Sequence, residues 1–143
     1  MSFKVGVGKS DFTALRESDN YYVDKTEFIY ELVNHVDNEV TLITRPRRFG
    51  KTLIMSMLKN FFDIRKDSKH IFEGLAITKH EDFCKEWMNQ YPVISVSFKD
   101  VDGIDFDDAY GMLKVQIANV CRGFANVIDA DVVDKDDMTV FHN

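Results

Sequence analysis

The chain has 143 residues, 45% of them hydrophobic and 29% charged, a composition typical of a folded domain of ordinary size. The net charge of −6 excludes binding to nucleic acid through an overall basic surface, and two cysteines are too few for a framework of disulfide bonds. The sequence contains no apolar run of the signal-peptide type or of the roughly 20 residues that a membrane span needs. We therefore expect a cytoplasmic protein without a membrane partner.

Two helical segments are predicted near the N-terminus. Asp11 is placed to cap a short helical turn in DFTALRE. Asp24 is placed to cap a helix in DKTEFIYELVN, and Glu27 follows three residues later, at the spacing of a capping box. The apolar residues of FIYELV recur at the spacing of an amphipathic helix. We assign residues 1–38 to an N-terminal helical extension.

The middle of the chain predicts a strand, a loop and a helix in that order. The β-branched run EVTLIT (39–44) is typical of a strand. Pro46 cannot donate a ladder hydrogen bond and disfavours helix at Arg45, so RPRRFG is expected to be a loop. From Lys51 onward, apolar residues recur at helical spacing and predict an amphipathic helix that ends near residues 63–66.

Three further elements complete the predicted fold. Residues 80–90 favour a helix, YPVISVSF (91–98) favours a strand, and residues 105–124 favour a long helix with acidic residues in its first turn. Only two strong strands are found, although a sheet of this type normally has about five or more. We therefore predict an α/β fold with an incomplete parallel sheet in residues 39–143.

The loop and the helix start carry most of a phosphate-binding motif, G-x-x-x-x-G-K-[ST]. Such a motif directs backbone N–H groups at phosphate oxygens from the start of a helix. Gly50 would let the backbone approach the ligand, Lys51 would reach the outer phosphates, and the Thr52 hydroxyl would ligate Mg²⁺. The first glycine of the motif is replaced by arginine. The predicted binding residues are Arg45, Pro46, Arg47, Arg48, Phe49, Gly50, Lys51, Thr52 and Leu53.

A second Gly-Lys-Ser, in GVGKS (6–10), does not meet the same requirements. Phe3 stands where the first glycine belongs, no strand of normal length precedes the loop, and the segment after it is short and polar. We interpret it as an N-terminal turn.

Several blocks in order resemble the predicted AAA-ATPase-like family, whose members are often found in bacterial genomes. The blocks are DFTALRESDNYYVDKTEFI, LITRPRRFGKTLIMSMLKNFF, IFEGLAI and YPVISVSFKDVDG. The family's loop typically reads TRPRRFGKT, so Arg45 is the usual residue there. The resemblance implies a P-loop NTPase-type fold and binding of ATP with Mg²⁺ through Gly50, Lys51 and Thr52. Full-length members often carry a C-terminal domain similar to PD-(D/E)xK nucleases.

The sequence offers no convincing carboxylate for ATP hydrolysis. A metal-binding Asp is expected after an apolar strand, but Lys99 directly precedes Asp100, and Asp129 lies in a polar pattern of helical type. In similar proteins this strand looks to lie downstream of residue 143. We therefore expect nucleotide binding, with hydrolysis dependent on a C-terminal part of the same protein, and we assign no catalytic residue.

Two alternatives stay open. The basic cluster of Arg45, Arg47, Arg48 and Lys51 would also suit a non-catalytic module that binds nucleic acid or an acidic partner, although the negative net charge does not favour it. Separately, the apolar faces of the helices predicted at 51–62 and 106–124 would be partly exposed if the rest of a sheet is absent, which favours self-association.

The remaining candidate sites are weaker. Two ligands at His80 and Cys84 do not make a zinc site. Asp105, Asp107 and Asp108 fit the acidic start of a helix better than a metal site. The segment DKT (24–26) is explained by helix capping, and the resemblance leaves open a second role near the nucleotide.

Overall fold

The computed structural model describes residues 10–18, 21–34, 40–44, 46, 50–99, 101 and 103–124. The helices in these ranges are α1 (Phe12–Arg16), α2 (Glu27–Asn34), α3 (Lys51–Phe62), α4 (Lys69–Phe72), a 3₁₀ helix (Ala76–Lys79), α5 (Glu81–Trp87) and α6 (Phe106–Phe124). The chain divides into two compact units, residues 1–93 and 94–143. Each unit is described by itself.

The prediction of an α/β fold with a parallel sheet is wrong for the described part of the chain, which is helical and contains no strand. Residues 40–44 and 92–98, both predicted as strands, are irregular, and an isolated parallel bridge joins Asp63 to Tyr91. Leu42 is 83% exposed and Phe98 65% exposed. A strand is stabilised by ladder hydrogen bonds to a neighbouring strand, and no described segment supplies such a ladder.

The core of the first unit is formed by the helices. Its buried residues are Phe12, Ile29, Met57, Phe61, Ile71, Phe72, Leu75 and Ile77. Aromatic rings fill its centre: the rings of Phe61 and Phe72 meet edge to face at 5.3 Å, and Phe12 packs on Phe72 at 5.0 Å. Each fully buried side chain of this size contributes about 1.5–3 kcal/mol relative to an exposed one.

Helix α1 begins where the sequence predicts and is anchored to α3. The Asp11 carboxylate accepts a hydrogen bond from the Ala14 N–H at 2.7 Å, so its predicted role as a cap is confirmed. The Phe12 N–H donates to Ser56 Oγ at 2.9 Å, and Thr13 Oγ1 donates to Asn60 Oδ1 at 3.1 Å. These bonds fix the position of α3 in the first unit.

Helix α2 is amphipathic, as predicted, but it begins at Glu27 and the predicted capping box is wrong. Asp24 does not cap the helix. Its carboxylate accepts from the N–H and the hydroxyl of Thr26, only two residues later, and from the N–H of Ala76. The carboxylate thus binds a remote segment, and the helix starts after Thr26.

The Asn89 side chain supplies hydrogen bonds to carbonyl groups at the C-terminal end of α3. Helix ends leave carbonyl groups without intrahelical partners. Asn89 Nδ2 donates to the carbonyl oxygens of Asn60 and Asp63 at 3.0 and 2.9 Å, and Asn89 Oδ1 accepts from the Ser68 N–H at 3.1 Å. Asn89 has φ of 56°, in the left-handed region that Asn tolerates better than most residues.

The helices predicted around residues 51–62 and 80–90 are both confirmed.

The second unit contains α6, and the prediction of a long helix here is confirmed. The Asp105 carboxylate accepts from the Asp108 N–H at 3.0 Å, which places the acidic residues at the start of the helix. Its exposed apolar residues include Phe106, Tyr110, Met112, Val115 and Ile117. None of the helices in the described ranges is both long and apolar enough to span a membrane.

Candidate functional site

The predicted phosphate-binding residues are described only in part. Pro46, Gly50, Lys51, Thr52 and Leu53 belong to the described residues, whereas Arg45, Arg47, Arg48 and Phe49 lie outside them. Pro46 is exposed, as are Lys51 and Thr52 at the start of α3. The structure therefore places the Gly-Lys-Thr end of the motif at the N-terminus of a helix.

Gly50 is the residue before α3 and has φ of 78°, in the left-handed region. A residue with a side chain is strained in this conformation. A Cβ atom built on Gly50 would meet no atom of the described residues within 4 Å, so these residues leave space beside the helix start. Glycine is thus required here by the turn of the backbone, and it leaves room for a ligand to approach.

The N-terminus of α3 differs from those of α5 and α6 in the charges of its first turn. A helix carries the equivalent of about +0.5 elementary charge at its N-terminus. The first turn of α3 contains no acidic residue, and its N-cap residue is a glycine, which has no side chain to cap the helix. By contrast, α5 begins with Glu81 and Asp82, and α6 with Asp107 and Asp108. This twelve-residue helix therefore starts with an environment that favours an anion.

The inner face of α3 holds this N-terminus in place. Leu53, Ile54 and Leu58 pack against the core, and Met57 and Phe61 are buried in it. The spacing of apolar residues that predicts α3 thus places Leu53 and Ile54 against the core and leaves Lys51 and Thr52 of the first turn exposed.

A cleft of about 600 Å³ lies in the first unit beside α3, and sequence reasoning did not predict it. It is lined by Lys25, Glu27, Phe28, Thr41–Thr44 and Ile54. Because these residues come from three separate segments, no spacing in the sequence could have revealed the cleft. The only sequence signal nearby is the DKT block, whose role was left open.

Within that block, Asp24 and Thr26 have structural roles. Asp24 accepts from the Thr26 N–H at 2.8 Å, the Thr26 hydroxyl at 2.7 Å and the Ala76 N–H at 2.7 Å. Thr26 is fully buried, and its Oγ1 accepts from the Ile77 N–H at 3.2 Å. Burial would raise the pKa of Asp24, but these hydrogen bonds hold that pKa below its usual value. Lys25, between them, is exposed and lines the cleft.

His80, which the sequence analysis considered together with Cys84 as a metal ligand, contacts Glu27 at the edge of the cleft. His80 Nε2 lies 2.8 Å from Glu27 Oε1, and its ring stacks on Tyr30 at 3.8 Å. Cys84 instead donates through Sγ to the Ile77 carbonyl oxygen at 3.3 Å, and burial raises the pKa of its thiol. The pair thus faces different partners and does not form a ligand set.

The other segments that the sequence analysis weighed and set aside lie mostly outside the described residues. The GVGKS segment, apart from Ser10, lies outside the described residues, as do Asp100 and Asp129. The part of the chain that the structure describes contains no cluster of three His, Cys, Asp or Glu residues suited to a metal ion.

Comparison with known proteins identifies the class of protein. The model of the family described as "Predicted AAA-ATPase" matches residues 6–141, so the chain belongs to this family. The resemblance inferred from the sequence is thereby confirmed.

The chain is also similar to a curated bacterial protein, which is described as "Uncharacterized protein in vnfD 5'region" of Azotobacter chroococcum mcd 1. The two sequences are 34% identical over 96 residues, which cover 66% of this chain but only 17% of that protein. The chain therefore corresponds to a small part of this relative. No solved structure matches the chain.

Proposed function

We propose that this chain binds ATP with Mg²⁺ and that the N-terminus of α3 is its phosphate site. The observation that carries the proposal is the start of α3 at Lys51. It follows a left-handed Gly50, the described residues leave space beside that glycine, and the first turn has no acidic residue. Membership of a predicted AAA-ATPase family supports the choice of ATP. The proposal requires no parallel sheet, because the helix start itself supplies the anion site.

Each residue of the motif has a chemical role in this proposal. The backbone N–H groups of Thr52 and Leu53 point along the first turn of α3 and would donate to phosphate oxygens. The exposed Lys51 ammonium would neutralise the outer phosphates. The remaining contacts would come from the loop residues Arg45, Pro46, Arg47, Arg48 and Phe49.

The Mg²⁺ ion fits this donor set only together with the nucleotide. Mg²⁺ keeps several waters and is usually bound through phosphates and one or two protein oxygens. The exposed Thr52 hydroxyl would be one such oxygen. Since the sequence offers no convincing carboxylate after an apolar strand, we expect binding without steady hydrolysis by these 143 residues alone.

Calorimetric titration with Mg-ATP tests the proposal. Lys51→Ala should abolish measurable binding, because it removes the charge that pairs with the outer phosphates. Lys59→Ala is a matched control, since it removes a lysine from the same helix two turns further on. Circular dichroism should show that both variants keep the helical content of the wild-type protein.

Three results would contradict the proposal. One is a folded wild-type protein that binds neither Mg-ATP nor Mg-ADP. Another is Lys51→Ala that binds with wild-type affinity, and the third is an equal loss of binding in Lys51→Ala and Lys59→Ala. Steady ATP turnover that Lys51→Ala abolishes would leave the binding site standing but refute the expectation of binding without hydrolysis.

A further inference from the structure

The cleft beside α3 is built from three segments that meet only in the folded first unit. Lys25, Glu27 and Phe28 come from the start of α2, Thr41–Thr44 form one wall, and Ile54 comes from α3. Its volume of about 600 Å³ is within the range of small-molecule sites, which is about 300–1,000 Å³.

The position of the cleft relates it to the proposed phosphate site. The Ile54 N–H donates to the Gly50 carbonyl oxygen at 2.9 Å, so this residue of the cleft wall lies one helical turn from the glycine. Thr44 is the cleft residue nearest to the loop in sequence. A ligand in the cleft would therefore lie beside the first turn of α3.

The chemistry of the walls is that of a site for a flat, partly polar group. Phe28, Ile43 and Ile54 supply apolar surface, and the hydroxyls of Thr41 and Thr44 supply hydrogen-bonding groups. Among the described residues, the walls contain one acidic and one basic residue, Glu27 and Lys25, so their charge does not by itself select a second polyanion. An aromatic ring and aliphatic side chains suit the face of a nucleobase.

We propose that this cleft takes the nucleoside part of the nucleotide whose phosphates bind at the N-terminus of α3. This inference rests on the proposed function and goes further, because it assigns the base and ribose to residues outside the RPRRFGKT loop.

Glu27 is the polar group that orients the nucleoside in this arrangement. One carboxylate oxygen, Oε1, contacts His80 Nε2 at 2.8 Å, and the His80 ring is held by stacking on Tyr30. This pairing restricts the rotamer of Glu27 while its other oxygen keeps its capacity as an acceptor. That oxygen would accept from an N–H group of the base or from a ribose hydroxyl.

A substitution that fills the cleft with a large side chain tests nucleoside binding separately from phosphate binding. Thr41 is exposed, so Thr41→Trp should occupy the cleft without disturbing the core. Val40→Trp is the matched control, because Val40 is the neighbouring residue, is 82% exposed and does not line the cleft. Both variants and the wild-type chain are titrated with Mg-ATP and with Mg-tripolyphosphate, which lacks the nucleoside.

We expect Thr41→Trp to lower the affinity for Mg-ATP at least tenfold and to leave that for Mg-tripolyphosphate unchanged. Val40→Trp should change neither affinity. Glu27→Gln, which keeps the shape of the side chain, should weaken binding of Mg-ATP alone. Circular dichroism and thermal unfolding should show that the variants remain folded, and Glu27→Gln tests the cleft if Thr41→Trp does not fold.

Wild-type affinity of Thr41→Trp for Mg-ATP would overturn the inference and leave the proposed phosphate site intact. Equal affinity of the wild-type chain for Mg-ATP and Mg-tripolyphosphate would also overturn the inference, because the nucleoside would then add nothing to binding, and would likewise leave the proposed phosphate site intact. If the wild-type chain binds neither ligand, the proposed function itself fails and the inference fails with it.

Discussion

Replacing Thr26 with Val tests how the start of α2 is joined to the 3₁₀ helix. Thr26 is fully buried, and its hydroxyl has two partners. It donates to Asp24 Oδ1 at 2.7 Å and accepts from the Ile77 N–H at 3.2 Å. Valine has nearly the same shape but no hydroxyl, so the substitution removes both hydrogen bonds and leaves the packing almost unchanged.

The expected loss in the free energy of unfolding is about 1.5–4.5 kcal/mol. Ile77 has no exposed surface, so its N–H group would remain buried without a partner, which costs about 1–3 kcal/mol. The lost bond to Asp24 costs about 0.5–1.5 kcal/mol more, because water can reach this exposed carboxylate. Thr26→Ser keeps the hydroxyl and loses one methyl group, for which we expect about 1 kcal/mol.

Urea unfolding followed by the fluorescence of the single tryptophan, Trp87, measures this loss in the first unit. The Trp87 ring packs on Phe83 at 6.0 Å and on Phe62 at 6.3 Å, so its emission reports on the core. The reasoning is refuted if Thr26→Val unfolds at the wild-type urea concentration. It is also refuted if Thr26→Ser costs as much as Thr26→Val.

Two further predictions concern Asp63 and Phe61 of the first unit, the second with an exposed control, Phe98, from the second unit. Burial would raise the pKa of Asp63, but its hydrogen bonds to Arg65 hold that pKa below its usual value. The ionised Asp63 carboxylate therefore stabilises the fold above its unfolded-state pKa of about 3.9, and this stabilisation is lost as the pH falls through its lower folded-state pKa. Between pH 5 and pH 3, the urea midpoint should accordingly fall less in Asp63→Asn than in the wild-type protein. Phe61→Ala should cost about 3–5 kcal/mol, because Phe61 has no exposed surface, whereas Phe98→Ala at a 65% exposed position should change stability by less than about 0.5 kcal/mol.

Each of these predictions has a result that would contradict it. An equal fall in the urea midpoint on acidification of Asp63→Asn and the wild-type protein would show that the pair with Arg65 does not stabilise the fold. Similar unfolding free energies for Phe61→Ala and Phe98→Ala would show that burial in the core is not the main source of stability.

The helices were predictable because each depends on interactions that are local in sequence. Apolar periodicity predicted α2 and α3, acidic residues in the first turn supported α6, and the side chain of Asp11 predicted the start of α1. The capping box at Asp24 failed for the opposite reason. Its carboxylate bonds to Ala76, 52 residues away, and this contact is invisible to a local rule.

The predicted strands failed because a sheet depends on partners. The apolar and β-branched composition of residues 40–44 and 91–98 is typical of strands, yet hydrogen-bonded neighbours must be present for a sheet to form. In the described chain, an isolated bridge at Tyr91 is all that pairs with these segments. Propensity therefore predicted strands in segments that the structure describes as irregular and exposed.

By itself, the sequence determined the family, most of the helices and the position of Gly-Lys-Thr at a helix start, since these depend on residue identity and short-range spacing. Only the tertiary structure decided the left-handed conformation of Gly50, the buried contact between Thr26 and Ile77, and the cleft. The physical reason is that the contact and the cleft join residues far apart in the chain, which become neighbours only when burial of the common core brings the helices together.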